Sequence, residues 1–120
     1  MGAKLLIVDD HDGFRAEAGE LLRAELYEVI GEAEDGKSAV AAAQRLRPDV
    51  VLVDIQLPDF DGFEVARRIL AESGAPTVIL ISSRDGSEYG RRIAQSGAAG
   101  FIFKGELGRA AIDSLLAAQR

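Results

Sequence analysis

Apolar positions along the chain follow two alternating patterns. Strand-like segments occur at "LLIVDD" (5–10), "YEVIGEAED" (27–35), "DVVLVD" (49–54), "PTVILISS" (76–83) and "GFIFK" (100–104). Between them the period becomes helical. Phe14, Ala18, Leu21, Leu22 and Leu26 recur at helical spacing with Arg15, Glu17, Glu20, Arg23 and Glu25 between them, which predicts an amphipathic helix over 12–26. The Ala-rich "KSAVAAAQRLR" (37–47) predicts a second helix, after a turn at Asp35 and Gly36 and stopping before Pro48. A third covers 61–73, with Phe63, Ala66, Ile69 and Leu70 on one side and Gly74 as its stop. A fourth, over 85–96, is weakened by Gly86 and Gly90. A fifth covers 106–119.

Strands that are apolar on both faces and alternate with helices imply a parallel sheet covered on both sides. A chain of 120 residues is too short for a barrel of eight βα units. The expected fold is therefore α/β, a doubly wound five-stranded parallel sheet with right-handed connections, as one domain over 1–120.

Charge and composition narrow the function. The net charge is -6, with no basic stripe, so direct binding of nucleic acid by this chain is not expected. The absence of cysteine removes disulfides and thiolate zinc sites. No apolar run reaches membrane-spanning length, and no export or myristoylation signal is matched at the N-terminus. The expected compartment is the cytoplasm, with no membrane contact.

The acids are not scattered. In open parallel sheets, ligands bind beyond the carboxyl ends of the strands, near the point where strand order reverses. The first strand delivers Asp9 and Asp10 there, the third Asp54, the fourth Ser82 and Ser83, and the fifth Lys104. Glu34 and Asp35 end the second strand, too far out to join them. With strand order 2-1-3-4-5, Asp9, Asp10 and Asp54 converge beside Ser82 and Lys104. Three close carboxylates repel, so one has a raised pKa unless a cation lies between them. Hard oxygen ligands in a partly open site suit Mg²⁺, and Mn²⁺ would fit the same donors. Such a site can bind a phosphoryl group, with Asp54 placed as nucleophile, as metal ligand, or as both.

These residues carry a resemblance. "VDD" (8–10), "DIQLPDFDGFE" (54–64), "ILISS" (79–83) and "GFIFK" (100–104) stand in the order and spacing of the receiver domain of bacterial two-component response regulators. The resemblance covers essentially the whole chain and implies the flavodoxin-like (βα)5 fold. It implies that Asp54 takes phosphate from a sensor histidine kinase or a histidine phosphotransfer protein. It further implies that Asp10 binds Mg²⁺ directly, Asp9 assists, and the Gln56 backbone carbonyl is another ligand. Lys104 would contact a phosphoryl oxygen, Ser82 would swing to hydrogen-bond it, and Phe101 would move in concert. Ser83 is small where phosphate enters, and Gln56 and Arg84 match positions that tune phosphoryl lifetime. Output would pass through the face of the fourth helix, fifth strand and fifth helix. The recipient would be a downstream effector protein or a fused output domain, with a phosphorylation-dependent homodimer as one form.

One departure is Gly105, where the family often has proline in a cis bond; a cis bond before a non-proline costs about 2.5–4 kcal/mol, so trans is expected. "DDH" (9–11) points toward the branch fused to helix-turn-helix domains. The chain is then a stand-alone receiver or one excised from a transcription regulator.

Several residues also admit plainer readings. Asp9 and Asp10 could cap the first helix, although a cap uses one acid, not two. His11 reads as an exposed helix-start residue before it reads as a phosphodonor or metal ligand. Asp59 and Asp61 are expected to shape their loop and cap the third helix. Ile112, with Ala117 and Ala118, is expected on an exposed, partner-binding surface. The rival functions are a phosphohydrolase, for which Gln56 stands where a second acid is wanted, and a docking module that is never phosphorylated. The expected activity is that of a switch, not of an enzyme turning over an external substrate.

Overall fold

The computed structural model describes residues 2–119; the outermost residues of the expected 1–120 domain lie outside it. Five strands, β1 (Lys4–Val8), β2 (Glu28–Ala33), β3 (Val50–Asp54), β4 (Thr77–Ser82) and β5 (Gly100–Phe103), alternate with five helices. The helices are α1 (Asp12–Ala24), α2 (Gly36–Leu46), α3 (Gly62–Leu70), α4 (Arg91–Gln95) and α5 (Arg109–Ala118). All pairings are parallel and the sheet order is β2-β1-β3-β4-β5. β1 thus lies between β2 and β3, and the crevice where chain direction switches opens between the ends of β1 and β3.

Alternation along the strands builds two cores. Leu6, Val8, Val51, Val53, Val78 and Leu80 face the α2–α3 side with Ala39, Ala43, Val65 and Ile69. Leu5, Ile7, Val50, Leu52, Ile79 and Ile81 face the other side with Ala18, Leu22 and Ile112. The central strands are covered on both faces, so nearly every position is apolar. The polar residues that end them stand out for that reason.

Local chemistry sets most boundaries. α1 ends at Ala24, two residues short of its expected end, because the chain turns at Leu26, whose φ is 72°. Asp35 is less a turn residue than a cap: its side chain accepts from Ser38 N at 2.8 Å, and the Ser38 hydroxyl answers in a capping box. Asp61 caps α3 through Glu64 N at 3.0 Å, as expected. Asp59 does shape its own loop, accepting from Phe60 N at 2.9 Å, but it does not cap α3. Its two oxygens accept from Gly36 N and Lys37 N, at 2.7 and 2.9 Å, so the loop after β3 caps α2.

Two expectations need correction. The fourth helix is not continuous over 85–96. A 3₁₀ turn (Gly86–Glu88) is followed by the five-residue α4, because Gly90 at φ 44° and ψ -119° breaks the helical path. Ile112 is not a surface residue: it is 0% exposed, facing inward with Leu5 and Ile79, while Ala117 and Ala118 of the same helix are exposed. The Lys104–Gly105 peptide is trans.

Candidate functional site

Among the described residues, three buried polar or charged side chains stand out: Asp9, Asp54 and Ser82. All three lie at the carboxyl ends of neighbouring strands. Asp9 follows β1 directly, and its backbone N–H still pairs with Ala33 O at 3.0 Å. Asp54 is the last residue of β3 and pairs in register with Ile81, so Ser82 stands one residue further along the adjacent strand. Burying carboxylates is costly unless they are paired. The partner is Lys104, just beyond β5, whose Nζ lies 2.5 Å from Asp9 Oδ2 and 3.1 Å from Asp54 Oδ2. The ammonium also sits 4.3 Å from the centroid of the Phe14 ring on α1.

The two buried acids behave differently. Burial pushes Asp54 up to about 6; the Gln56 N–H, 3.1 Å from Oδ1, and Lys104 offset this only in part. Burial also raises Asp9, but the Lys104 ammonium and the His11 backbone N–H outweigh it and hold its pKa below the usual carboxylate value. Lys104 loses by burial yet ends above its ordinary value because both acids stabilise its charge. Among the described residues, the Lys104 ammonium is the one charged group at the buried Asp9 Oδ2, and it meets that oxygen as an ion pair.

Asp10 is exposed at the mouth of the crevice. Asp9, Asp10, His11 and Asp54 bring one ligand atom each within 4.8 Å of one another. Three carboxylates, two of them buried and sharing a single lysine, form a donor set that fits a hard divalent cation. Asp9 and Asp10 do not cap α1. Its N-cap is His11, which makes no side-chain cap bond.

The remaining expected residues lie around this centre. The Ser82 hydroxyl accepts from Arg84 N at 3.0 Å and lies 3.5 Å from the Tyr89 hydroxyl, so in this state it serves its own loop. Gln56, Ser83 and Arg84 are exposed on the rim, and Arg84 reaches Glu88 at 3.7 Å. Phe101 is half-buried. Its ring centroid is 6.4 Å from that of Tyr89, which meets Phe63 edge-on at 5.8 Å.

Sequence reasoning missed three contributors. Phe14 covers Lys104. Arg15 donates to Asp9 O at 2.5 Å and to Glu32 at 3.0 Å. Tyr89 joins Ser82 to Phe101. The available signal was position: Phe14 and Arg15 lie in the first turn of α1, which packs over the strand ends.

A parallel sheet with acids at its switch point and a lysine from the edge strand is the architecture of a phosphoryl-handling signalling domain. The description "response regulator receiver domain" matches residues 5–116, and the chain belongs to that family, a component of two-component signalling. It is similar to response regulator GacA of Pseudomonas aeruginosa (35% identity over 103 residues, 85% of this chain and 48% of the relative). It is also similar to the transcriptional regulatory protein DegU of Brevibacillus brevis (32% identity, 84% of this chain and 43% of the relative). The chain spans about half the length of the curated relatives it matches. Among solved structures it resembles a LuxR-family two-component response regulator from Aurantimonas sp. SI85-9A1 (TM-score 0.85, 29% identity, covering 98% of this chain and 87% of that one). It likewise resembles a chain of the CheX–CheY–BeF3–Mg complex from Borrelia burgdorferi (TM-score 0.83, 27% identity, covering 97% and 87%). Receiver domains bind Mg²⁺ at an acidic pocket, and the Asp cluster is this chain's counterpart. No helix among the described residues is long and apolar enough to cross a membrane.

Proposed function

We propose that this domain is a phosphorylation-controlled switch with Asp54 as acceptor. A carboxylate oxygen of Asp54 attacks phosphorus, the phosphorus–nitrogen bond of a donor phosphohistidine breaks, and an acyl phosphate forms on β3. The donor is a sensor histidine kinase or a histidine phosphotransfer protein. The observation that carries this reading is the buried Asp54 carboxylate at the strand tip, with Lys104 Nζ at 3.1 Å. The lysine is poised to follow charge from the carboxylate to a phosphoryl oxygen.

Asp9, Asp10, Asp54 and the Gln56 carbonyl would hold Mg²⁺, and Mn²⁺ suits the same oxygens. When bound, the cation neutralises charge on the phosphoryl oxygens. Ser82 leaves Arg84 N to meet the new oxygens, and Phe101 and Tyr89 repack behind it. Ser83 keeps the entrance open, while Gln56 and Arg84 control access of hydrolytic water.

The output face comprises α4, β5 and α5. A groove of about 730 Å³ lined by Phe101, Phe103, Glu106 and Leu115 lies along β5 and α5, closed on one side by Gly86 of the 3₁₀ turn. Phosphorylation adds about -1.5 to -2 charges, and differential contact of that charge with two arrangements of this face shifts their populations. The recipient is an effector protein or a fused output domain, reached directly or through a homodimer, in the cytoplasm. The length of the relatives favours a second reading of context: a receiver that works within a longer transcription regulator.

Beryllofluoride, a phosphoryl mimic, tests the switch by amide NMR. Shifts around Asp54 that spread to α4, β5 and α5, and require Mg²⁺, are expected. Shifts confined to the acid cluster would sink the output face. No shift at all would leave a docking module.

A further inference from the structure

His11 was expected at the exposed start of α1, and its side chain is 70% exposed. Its imidazole nevertheless turns back to the acids. Nδ1 lies 3.0 Å from Asp9 Oδ1 and 3.1 Å from Asp10 Oδ1. The residue is also tethered, since its backbone N–H donates to the same Asp9 Oδ1 at 2.8 Å. Adjacent ligands on an octahedral cation with bonds of about 2.1 Å stand about 3.0 Å apart. The two Nδ1 distances match such edges, and His11 stands in the same cluster of candidate ligand residues as Asp54.

We infer that His11 supplies a nitrogen ligand to the divalent cation in this pocket and tilts its selectivity from Mg²⁺ toward first-row transition ions that accept imidazole. The inference rests on the pocket being a divalent-cation site, as read above. Carboxylate and carbonyl oxygens favour Mg²⁺ and Mn²⁺, whereas an imidazole adds most for Co²⁺, Ni²⁺ and Zn²⁺. The exposed side of the ring leaves the ion exchangeable. The alternative is a ring that only donates Nδ1–H to the two carboxylates, with no part in metal binding.

The chain makes the test unusually clean. It has one histidine and no cysteine, so an imidazole signal on a bound ion can come only from His11. The experiment uses the untagged chain. Calorimetric titration with Mg²⁺ and with Co²⁺ is run on the parent and on His11→Ala, and electron spin-echo spectroscopy is run on the Mn²⁺-loaded parent. Loss of a mere supporting partner of a ligand costs about 10- to 100-fold in metal affinity. His11→Ala should therefore weaken Co²⁺ by about tenfold or more, and Mg²⁺ by less than about twofold. The Mn²⁺ echo should carry nitrogen modulation that His11→Ala abolishes. An unchanged Co²⁺/Mg²⁺ ratio, or an echo without nitrogen modulation, overturns the role of His11 and leaves the pocket reading standing. Failure of the parent to bind any of the three ions overturns both. The echo on the parent decides the matter even if the variant folds poorly.

Discussion

Lys104 Nζ and Asp54 Oδ2 meet at 3.1 Å across 50 residues of sequence, joining the end of β5 to the end of β3 over the intervening β4. The same ammonium holds Asp9 at 2.5 Å. One cation thus compensates two buried anions, leaving a net negative pocket that a divalent ion would complete.

Lys104→Met removes that compensation. Breaking one side of a buried pair costs about 3–5 kcal/mol, so urea unfolding in a chelator should show a loss near about 3 kcal/mol. Millimolar Mg²⁺ should recover much of it, because the ion takes over the lysine's charge. A loss that Mg²⁺ leaves untouched would argue that the lysine serves packing rather than charge.

Asp54 gives the pH dependence. Burial raises it from 3.8 to about 6 in the folded chain. Between those values the folded state keeps a proton that the unfolded chain has released, so stability of the cation-free protein falls as pH rises through the window. Asp54→Asn lacks this titration. It should exceed the parent by roughly 1–3 kcal/mol at neutral pH in chelator, with the gap closing below about pH 4. Thermal melts at several pH values read this directly. An Asn variant less stable at neutral pH would mean that Lys104 outweighs burial.

Asp59 is the link between the loop after β3 and α2. Asp59→Ala frees Gly36 N and Lys37 N, and loss of a helix cap costs about 1 kcal/mol. Faster amide exchange at those two residues should accompany the loss. Unchanged exchange would place the cap wholly with Asp35.

Gly90 governs the length of α4. Gly90→Ala has free space for its methyl group but not the φ of 44°. It should either cost about 1 kcal/mol or more, or join the Gly86–Glu88 turn to α4 as one helix. Backbone chemical shifts over 85–96 distinguish the two outcomes.

Much of this was legible in the sequence. Apolar runs that end in acid gave β1 and β3 with their chemistry, because strands buried on both faces leave a polar residue only where the strand leaves the sheet. The strand order was supposed, not read: under 2-1-3-4-5 the acids meet, and the sheet has that order. What was not legible depended on single backbone choices or on contacts across the fold. Gly86 and Gly90 weakened the fourth helix on paper, but only Gly90's positive φ decides that it breaks. Ile112 lies in an Ala-rich helix with few large residues, which blurred its inward face. The bond from Asp59 to α2 spans more than twenty residues and has no local signature. His11 was read from its exposure, and exposure does not say which way the ring turns.

The most direct test of the acceptor assignment is intact mass after incubation with acetyl phosphate and Mg²⁺, for the parent and Asp54→Asn. One added phosphoryl group on the parent, absent without Mg²⁺ and absent from the variant, is the expected result. A phosphoryl group that persists on Asp54→Asn would contradict the assignment. So would a parent that neither gains mass nor responds to beryllofluoride.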